Sequence, residues 1–151
     1  MSVNLAGTVC SMLRNKGQEV YSLPPEATVY SALQMMAEKN AGALLVIGND
    51  KLLGVISERD YARKGILQGR MSRQTPVSEV MVSPAITATM DSTVEECMRL
   101  MTANRVRHLA IVDRDKVVGV VSVGDLVKSI IDAQADAIDR LQDYISGKYP
   151  G

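Results

Sequence analysis

Residues 27–66 align with residues 92–131 at a constant offset of 65 positions, without a gap, and eleven of the forty pairs are identical. Among them are Thr28/Thr93, Val29/Val94, Met36/Met101, Leu44/Leu109, Gly54/Gly119, Val55/Val120, Ser57/Ser122 and Asp60/Asp125. Many of the other pairs exchange one aliphatic for another. Such a duplication constrains the fold more than any single segment does: both copies must form the same elements and bury equivalent faces.

Each copy reads β–α–β–β–α. Short extended pieces, "EVYSL" (19–23) and "PAITA" (84–88), come first. A helix begins near Thr28 or Thr93, with apolar residues at Val29, Leu33 and Met36, and at Val94, Met98 and Met101, which is helical spacing. Ser92, with Glu95 three positions on, reads as an N-cap. The runs "ALLVI" (43–47) and "HLAIV" (108–112) are nearly unbroken apolar strands, as expected when both faces are covered. Tight turns, "GND" and "DRD", lead into second strands, "LLGVIS" (52–57) and "VVGVVS" (117–122), which enter helices at Glu58 and Val123. This gives a lead-in segment (1–18), a first repeat (19–66), a linker with a second lead-in helix (67–83), a second repeat (84–132) and a C-terminal helix and tail (133–151). Ile131, Ile138, Leu141 and Ile145 make that last helix amphipathic, suited to packing or to a dimer face.

Composition narrows the function. A 46% hydrophobic content supports a sizeable core, but aromatics are 3%, so Val, Ile, Leu and nine Met must fill it. Lys and Arg (17) balance Asp and Glu (17), so the basic excess of a nucleic-acid binder is missing. Cys10 and Cys97 have no metal-ligand spacing around them and suit a reducing cytoplasm as ordinary thiols. The first residues lack signal-peptide character, and no apolar run approaches the ~18 residues of a membrane span. A soluble, cytoplasmic protein with no metal site is expected.

The repeated strand-to-helix turns, "GVISERD" (54–60) and "GVVSVGD" (119–125), carry the chemistry. Ser57-x-x-Asp60 and Ser122-x-x-Asp125 read two ways. One is capping, in which the serine accepts from an early helical N–H and the acid favours the positive end of the dipole. The other is ligand binding, in which the carboxylate accepts from vicinal hydroxyls such as those of a ribose. A carboxylate is a poor neighbour for phosphate, so any phosphate should lie further off.

The pattern G-h-h-[ST]-x-x-D within a duplicated β–α–β–β–α unit resembles the CBS domain, and two copies resemble a CBS pair, or Bateman module. The likeness covers roughly residues 8–132 and extends to small stand-alone bacterial CBS-pair proteins. It implies an α/β (α+β) fold in which two repeats pack sheet to sheet with pseudo-twofold symmetry, leaving two related clefts that bind adenine nucleotides such as AMP, ATP or NAD as regulators. By carry-over, Asp60, Asp125, Ser57 and Ser122 would hold ribose. Arg59, Arg63, Arg105, Arg107 and His108 would meet phosphate, with the forked donors of Arg107 best suited. Val20, Tyr21, Ala85 and Ile86, with Ala43 and Val80, would flank adenine. The segments "VCSML" (9–13) and "VSEVM" (77–81) match the family's lead-in helix and would complete the pockets.

Three functions remain. A non-catalytic nucleotide sensor acting in trans as a homodimer on an unknown target protein fits best. A small enzyme fits poorly: no phosphate loop, Cys-x-x-Cys or Ser/His/Asp grouping occurs, and His108 is the only histidine, so no catalytic residue is assigned. A ligand-free interaction scaffold is the alternative. Nucleic acid and membrane are not expected partners.

Overall fold

A computed structural model of the chain describes residues 7–16 and 19–145. Each repeat forms a three-stranded sheet. In the first, β1 (Ser22–Leu23) runs parallel to β2 (Ala43–Gly48), which pairs antiparallel with β3 (Lys51–Ser57). In the second, β4 (Thr87–Thr89), β5 (His108–Asp113) and β6 (Lys116–Ser122) follow the same order and directions. Register shifts fall at equivalent places, between Val46 and Ile47 and between Ile111 and Val112. Both hairpins turn through two residues of positive φ, Asn49–Asp50 and Arg114–Asp115, the geometry that follows the right-handed twist of the strands. The first strands are shorter than the sequence suggests. Only Ser22–Leu23 and Thr87–Thr89 lie in register with β2 and β5, and Pro84 has no N–H to give.

Helices α2 (Val29–Lys39) and α4 (Val94–Asn104) start where Thr28 and Thr93 accept hydrogen bonds from the backbone N–H of Ser31 and Glu96. Ser92, expected to cap with Glu95, instead accepts from Thr89 N–H at 3.1 Å and closes the preceding turn. The cap therefore falls one residue later, equivalent to Thr28. The buried stripes are Val29, Ala32 and Met36, and Val94, Cys97 and Met101. Leu33 and Met98 lie at the edge of these stripes, half-buried.

The lead-in segments are exchanged between the repeats. Helix α1 (Val9–Lys16) packs Val9, Met12 and Leu13 among Val94, Cys97, Leu109 and Leu126 of the second repeat. The short 3-10 turn Val77–Glu79 and Val80, which precede the second repeat in the chain, are buried in the core of the first. Backbone hydrogen bonds repeat the exchange. Val9 and Cys10 donate to Ser92 and Met90, and Val94 donates to Gly7; Val77 and Ser78 donate to Ala27 and Pro25, and Val29 donates to Thr75. The start of α2 is thus pinned by a segment that follows it in the chain and the start of α4 by an equivalent segment that precedes it.

That exchange explains the glycine of the repeated motif. A Cβ on Gly54 would lie 2.5 Å from the carbonyl oxygen of Val82 and 2.8 Å from Met81 Sδ; one on Gly119 would lie 2.8 Å from Leu13 Cδ1. The glycines leave room for the incoming lead-in.

The two sheets face each other across a third apolar layer. Leu45, Val55 and Ala110 are buried there, with Val20, Ala43, Ile47, Leu52, Ala85, Val117 and Val120 around them. One face of each sheet meets its helices and lead-in, the other meets the opposite sheet, so β2 and β5 read as apolar runs.

The repeats differ after the motif. In the first, α3 (Glu58–Asp60) widens into a π-helical turn (Tyr61–Gly65), tightens to a 3-10 turn (Ile66–Gln68) and stops at Gly69, φ 74°. In the second, α5 (Val123–Ile145) runs unbroken for 23 residues. Its apolar residues Ile131, Ile138 and Leu141 are 57%, 56% and 59% exposed, so this face does not pack on the body of its own chain. The side chain of Ile145 and residues 146–151 lie outside the described residues.

Two outcomes follow from this packing. Gly54→Ala should destabilise the fold by about 3 kcal/mol in urea unfolding, and Gly119→Ala by about 1 kcal/mol, because backbone obstructs the first and a movable leucine side chain the second; equal losses would contradict the arrangement. Burial, aided by Glu96, pushes the Cys97 thiol up to about 11, whereas Cys10 is half-exposed. A thiol reagent at pH 8 should therefore label Cys10 in the native protein and Cys97 only after unfolding, as peptide mapping would read.

Candidate functional site

At the end of β3 the chain turns into α3 through a reciprocal cap. Asp60 Oδ2 accepts from Ser57 N–H at 3.0 Å and from Ser57 Oγ at 2.9 Å, while Ser57 Oγ accepts from Asp60 N–H at 3.2 Å. All of these bonds to the carboxylate use Oδ2, so Oδ1 keeps its acceptor capacity. At the end of β6, Asp125 Oδ2 accepts from Ser122 N–H at 2.8 Å and Ser122 Oγ accepts from Asp125 N–H at 3.2 Å. The capping reading of the motif holds in both repeats.

Both turns also open onto cavities. The first cavity, ≈ 270 Å³, is lined by Val55, Ser57, Glu58, Arg59 and Asp60 of the first repeat. From the second repeat come Ile86, Arg105, Val106, Arg107 and His108, with Val82 of the exchanged lead-in and Gly42 completing the wall. The second cavity, ≈ 510 Å³, inverts this plan: Val120, Ser122 and Asp125 face Glu19, Tyr21 and Lys39 to Ala43, with His108 shared. The motif of one repeat thus always meets the segment before the central strand of the other. Within each repeat the start of the motif helix is also tied to the segment before its own central strand, since Glu58 N–H donates to Gly42 O and Val123 N–H donates to Arg107 O.

Arg59, Arg105, Arg107 and His108 are brought together around the first cavity. Lost hydration, then the charges of Arg63 and Arg107, hold Arg59 below the ordinary guanidinium range, with Asp60 partly opposing them. Among the described residues, Arg59, Arg105 and Arg107 form no salt bridge or side-chain hydrogen bond. Arg105 closes α4 in the left-handed region at φ 54°, where the equivalent Asn40 has φ 52°. Asparagine tolerates that conformation far better than arginine does. Arg63 lies close enough to act on Arg59 but is exposed and lines neither cavity.

Of the residues expected to flank a base, Ile86 lines the first cavity, and Tyr21 and Ala43 the second. Three are not brought there. Val20 and Ala85 lie in the layer between the sheets, because neighbouring residues of an extended segment point to opposite sides. Val80 is fully buried in the core of the first repeat, since its lead-in packs by that side chain. The sequence reading missed Gly42, Val82 and Val106 in one wall and Glu19 and Lys39 in the other. Carrying Arg105–His108 across the 65-residue offset to 40–43 would have found most of the second wall. In it, Tyr21 donates its hydroxyl to Glu19 Oε2, which with partial burial raises the phenol pKa. Lys39 Nζ sits 5.5 Å from the Tyr21 ring centre.

The described residues hold no group of three or more metal-ligand side chains, and none of their helices is long and apolar enough to cross a membrane.

The CBS-domain family model matches twice, at residues 12–65 and 77–132. The chain is 36% identical to the CBS domain-containing protein CBSX3, mitochondrial, of Arabidopsis thaliana, over 94% of this chain and 73% of that protein. It is also 36% identical to the Bacillus subtilis CBS domain-containing protein YhcV, over 72% of this chain and 76% of that one. Among solved structures, the CBS domain NE2398 superposes with a TM-score of 0.77 at 43% identity, covering 82% of this chain and 97% of that one. A CBS-domain protein of Burkholderia ambifaria MC40-6, with a suggested role in signal transduction, gives 0.79 at 43%, covering 83% and 94%. Two family matches on two equivalent sheets leave one conclusion, that this chain belongs to the CBS-domain family as a tandem pair.

Proposed function

We propose that the protein is a non-catalytic sensor that binds an adenine nucleotide, AMP, ATP or NAD, between its two repeats and signals in trans as a cytoplasmic homodimer. The observation that carries this reading is the composition of the first cavity. One wall supplies a carboxylate anchored through a single oxygen, suited to a ribose diol. Val55, Val82, Ile86 and Val106 supply apolar surface for a base, and Arg59, Arg105 and Arg107 supply donors for phosphate. A bound nucleotide would touch both repeats and so favour whichever arrangement holds them at the right separation. The free Cys10 and Cys97 thiols suit a reducing compartment.

A second copy is the natural cover for the exposed apolar residues. Ile66 and Ile131 occupy equivalent positions after the two motifs and are both 57% exposed, and Ile138 and Leu141 continue the second patch along α5. A CBS–CP12 protein of bloom-forming cyanobacteria, 25% identical and similar at a TM-score of 0.72, is hexameric.

The ligand-free scaffold is favoured by one fact: the Ser57–Asp60 and Ser122–Asp125 caps are complete within the chain. Titration calorimetry with AMP, ATP and NAD separates the readings. The sensor should bind at least one of them, and Asp60→Ala should weaken that binding roughly tenfold to a hundredfold, the worth of hydrogen bonds to a charged group. Asp60→Asn, which can still accept from Ser57 N–H, controls for loss of the cap. Absence of binding by all three would favour the scaffold. In sedimentation, Ile138→Asp should convert a dimer to a monomer with the Tm of the body little changed; a monomeric wild type would remove the dimer from the proposal.

A further inference from the structure

The pseudo-symmetry allows the two cavities to be compared position by position, and their charges do not match. Arg59, Arg105, Arg107 and His108 at the first cavity are replaced at the equivalent positions by Gly124, Asn40, Gly42 and Ala43. Every basic group of the first lining loses its counterpart. The first cavity carries three arginines against the carboxylates of Glu58 and Asp60; the second carries Lys39 against Glu19 and Asp125, and His108 borders both. Lys39 lies over the Tyr21 ring, whose hydroxyl is bonded to Glu19. The features suited to a sugar and an apolar ring do persist: Ser122 and Asp125 match Ser57 and Asp60, and Tyr21 stands where Ile86 stands.

From this difference we infer that the two cavities divide their ligands by charge, the first taking a phosphorylated adenine nucleotide and the second an adenine nucleoside that carries no phosphate. The division rests on the nucleotide-binding reading above and goes beyond it by assigning a ligand class to each cavity. A phosphate in the second cavity would sit among two carboxylates with no arginine and only Lys39 and the shared His108 to offset them, and like charges at close range disfavour it. A nucleoside meets no such penalty, and its hydroxyls have Asp125 to donate to. The backbone supports the same division. Arginine is held in a left-handed conformation at position 105, while asparagine, well suited to it, occupies position 40.

Calorimetry on the full chain with AMP and adenosine as probes tests the division. The wild type should bind one AMP and one adenosine per chain, and saturating AMP should leave an adenosine site open. Arg105→Asn should weaken AMP at least tenfold while leaving adenosine affinity within about twofold. Its Tm should be unchanged or higher, so misfolding would not be the cause. Asp125→Asn should show the converse selectivity. In the gain-of-function direction, Asn40→Arg should admit a second, weaker AMP. Two equivalent AMP sites in the wild type, or adenosine displaced completely by AMP, would overturn the division while leaving nucleotide binding intact. Failure of both probes to bind would overturn the division, and the nucleotide reading would fall with it only if ATP and NAD also failed to bind.

Discussion

Leu45, Val55 and Ala110 are buried between two sheets that each turn their other face toward helices. Full burial of a side chain such as Leu45 stabilises by about 1.5–3 kcal/mol, and this shared layer joins the repeats into one body. Its placement also makes the clefts. At the ends of β3 and β6 the motif of one repeat faces the segment before the central strand of the other. Two clefts arise because the contact is pseudo-twofold, and each needs both repeats.

Within that frame, the Ser–Asp turn does two jobs with one geometry. As a cap it closes the first turn of α3 and of α5. As a wall residue Asp60 presents a carboxylate whose orientation is already set, so a ligand would not have to order it. Such pre-organisation lowers the entropic cost of binding. The structural and functional explanations of the motif are compatible because Asp60 spends only one oxygen on the cap.

Much of this was legible in the residues. The 65-residue offset located both sheets, the central apolar strands and the hairpin turns, and Ser57, Asp60, Ser122 and Asp125 all line cavities as the duplicated motif implied. Two of the misplaced features, at Ser92 and Val80, originate in contacts between distant segments. Local spacing points to Ser92 as the cap, but the exchanged lead-in sets the start of α4 one residue later. The likeness of its segment to the family's lead-in places Val80 at a pocket, whereas tertiary packing turns it into the core of the opposite repeat. Val20 and Ala85 differ from their cavity-lining neighbours only by the alternation of an extended chain, whose phase a five-residue stretch does not reveal.

The crossed lead-ins also bear on how the polypeptide is made. Helix α1 leaves the ribosome ahead of both repeats, yet its docking partners Val94, Leu109 and Leu126 come roughly 80 to 115 residues later. The first sheet, in turn, lacks Val77 and Val80 until the linker has been translated. The core of the first repeat is complete once Met81 has been made, whereas that of the second needs α1 together with residues as late as Leu126, so vectorial synthesis leaves α1 waiting while the first repeat can already close.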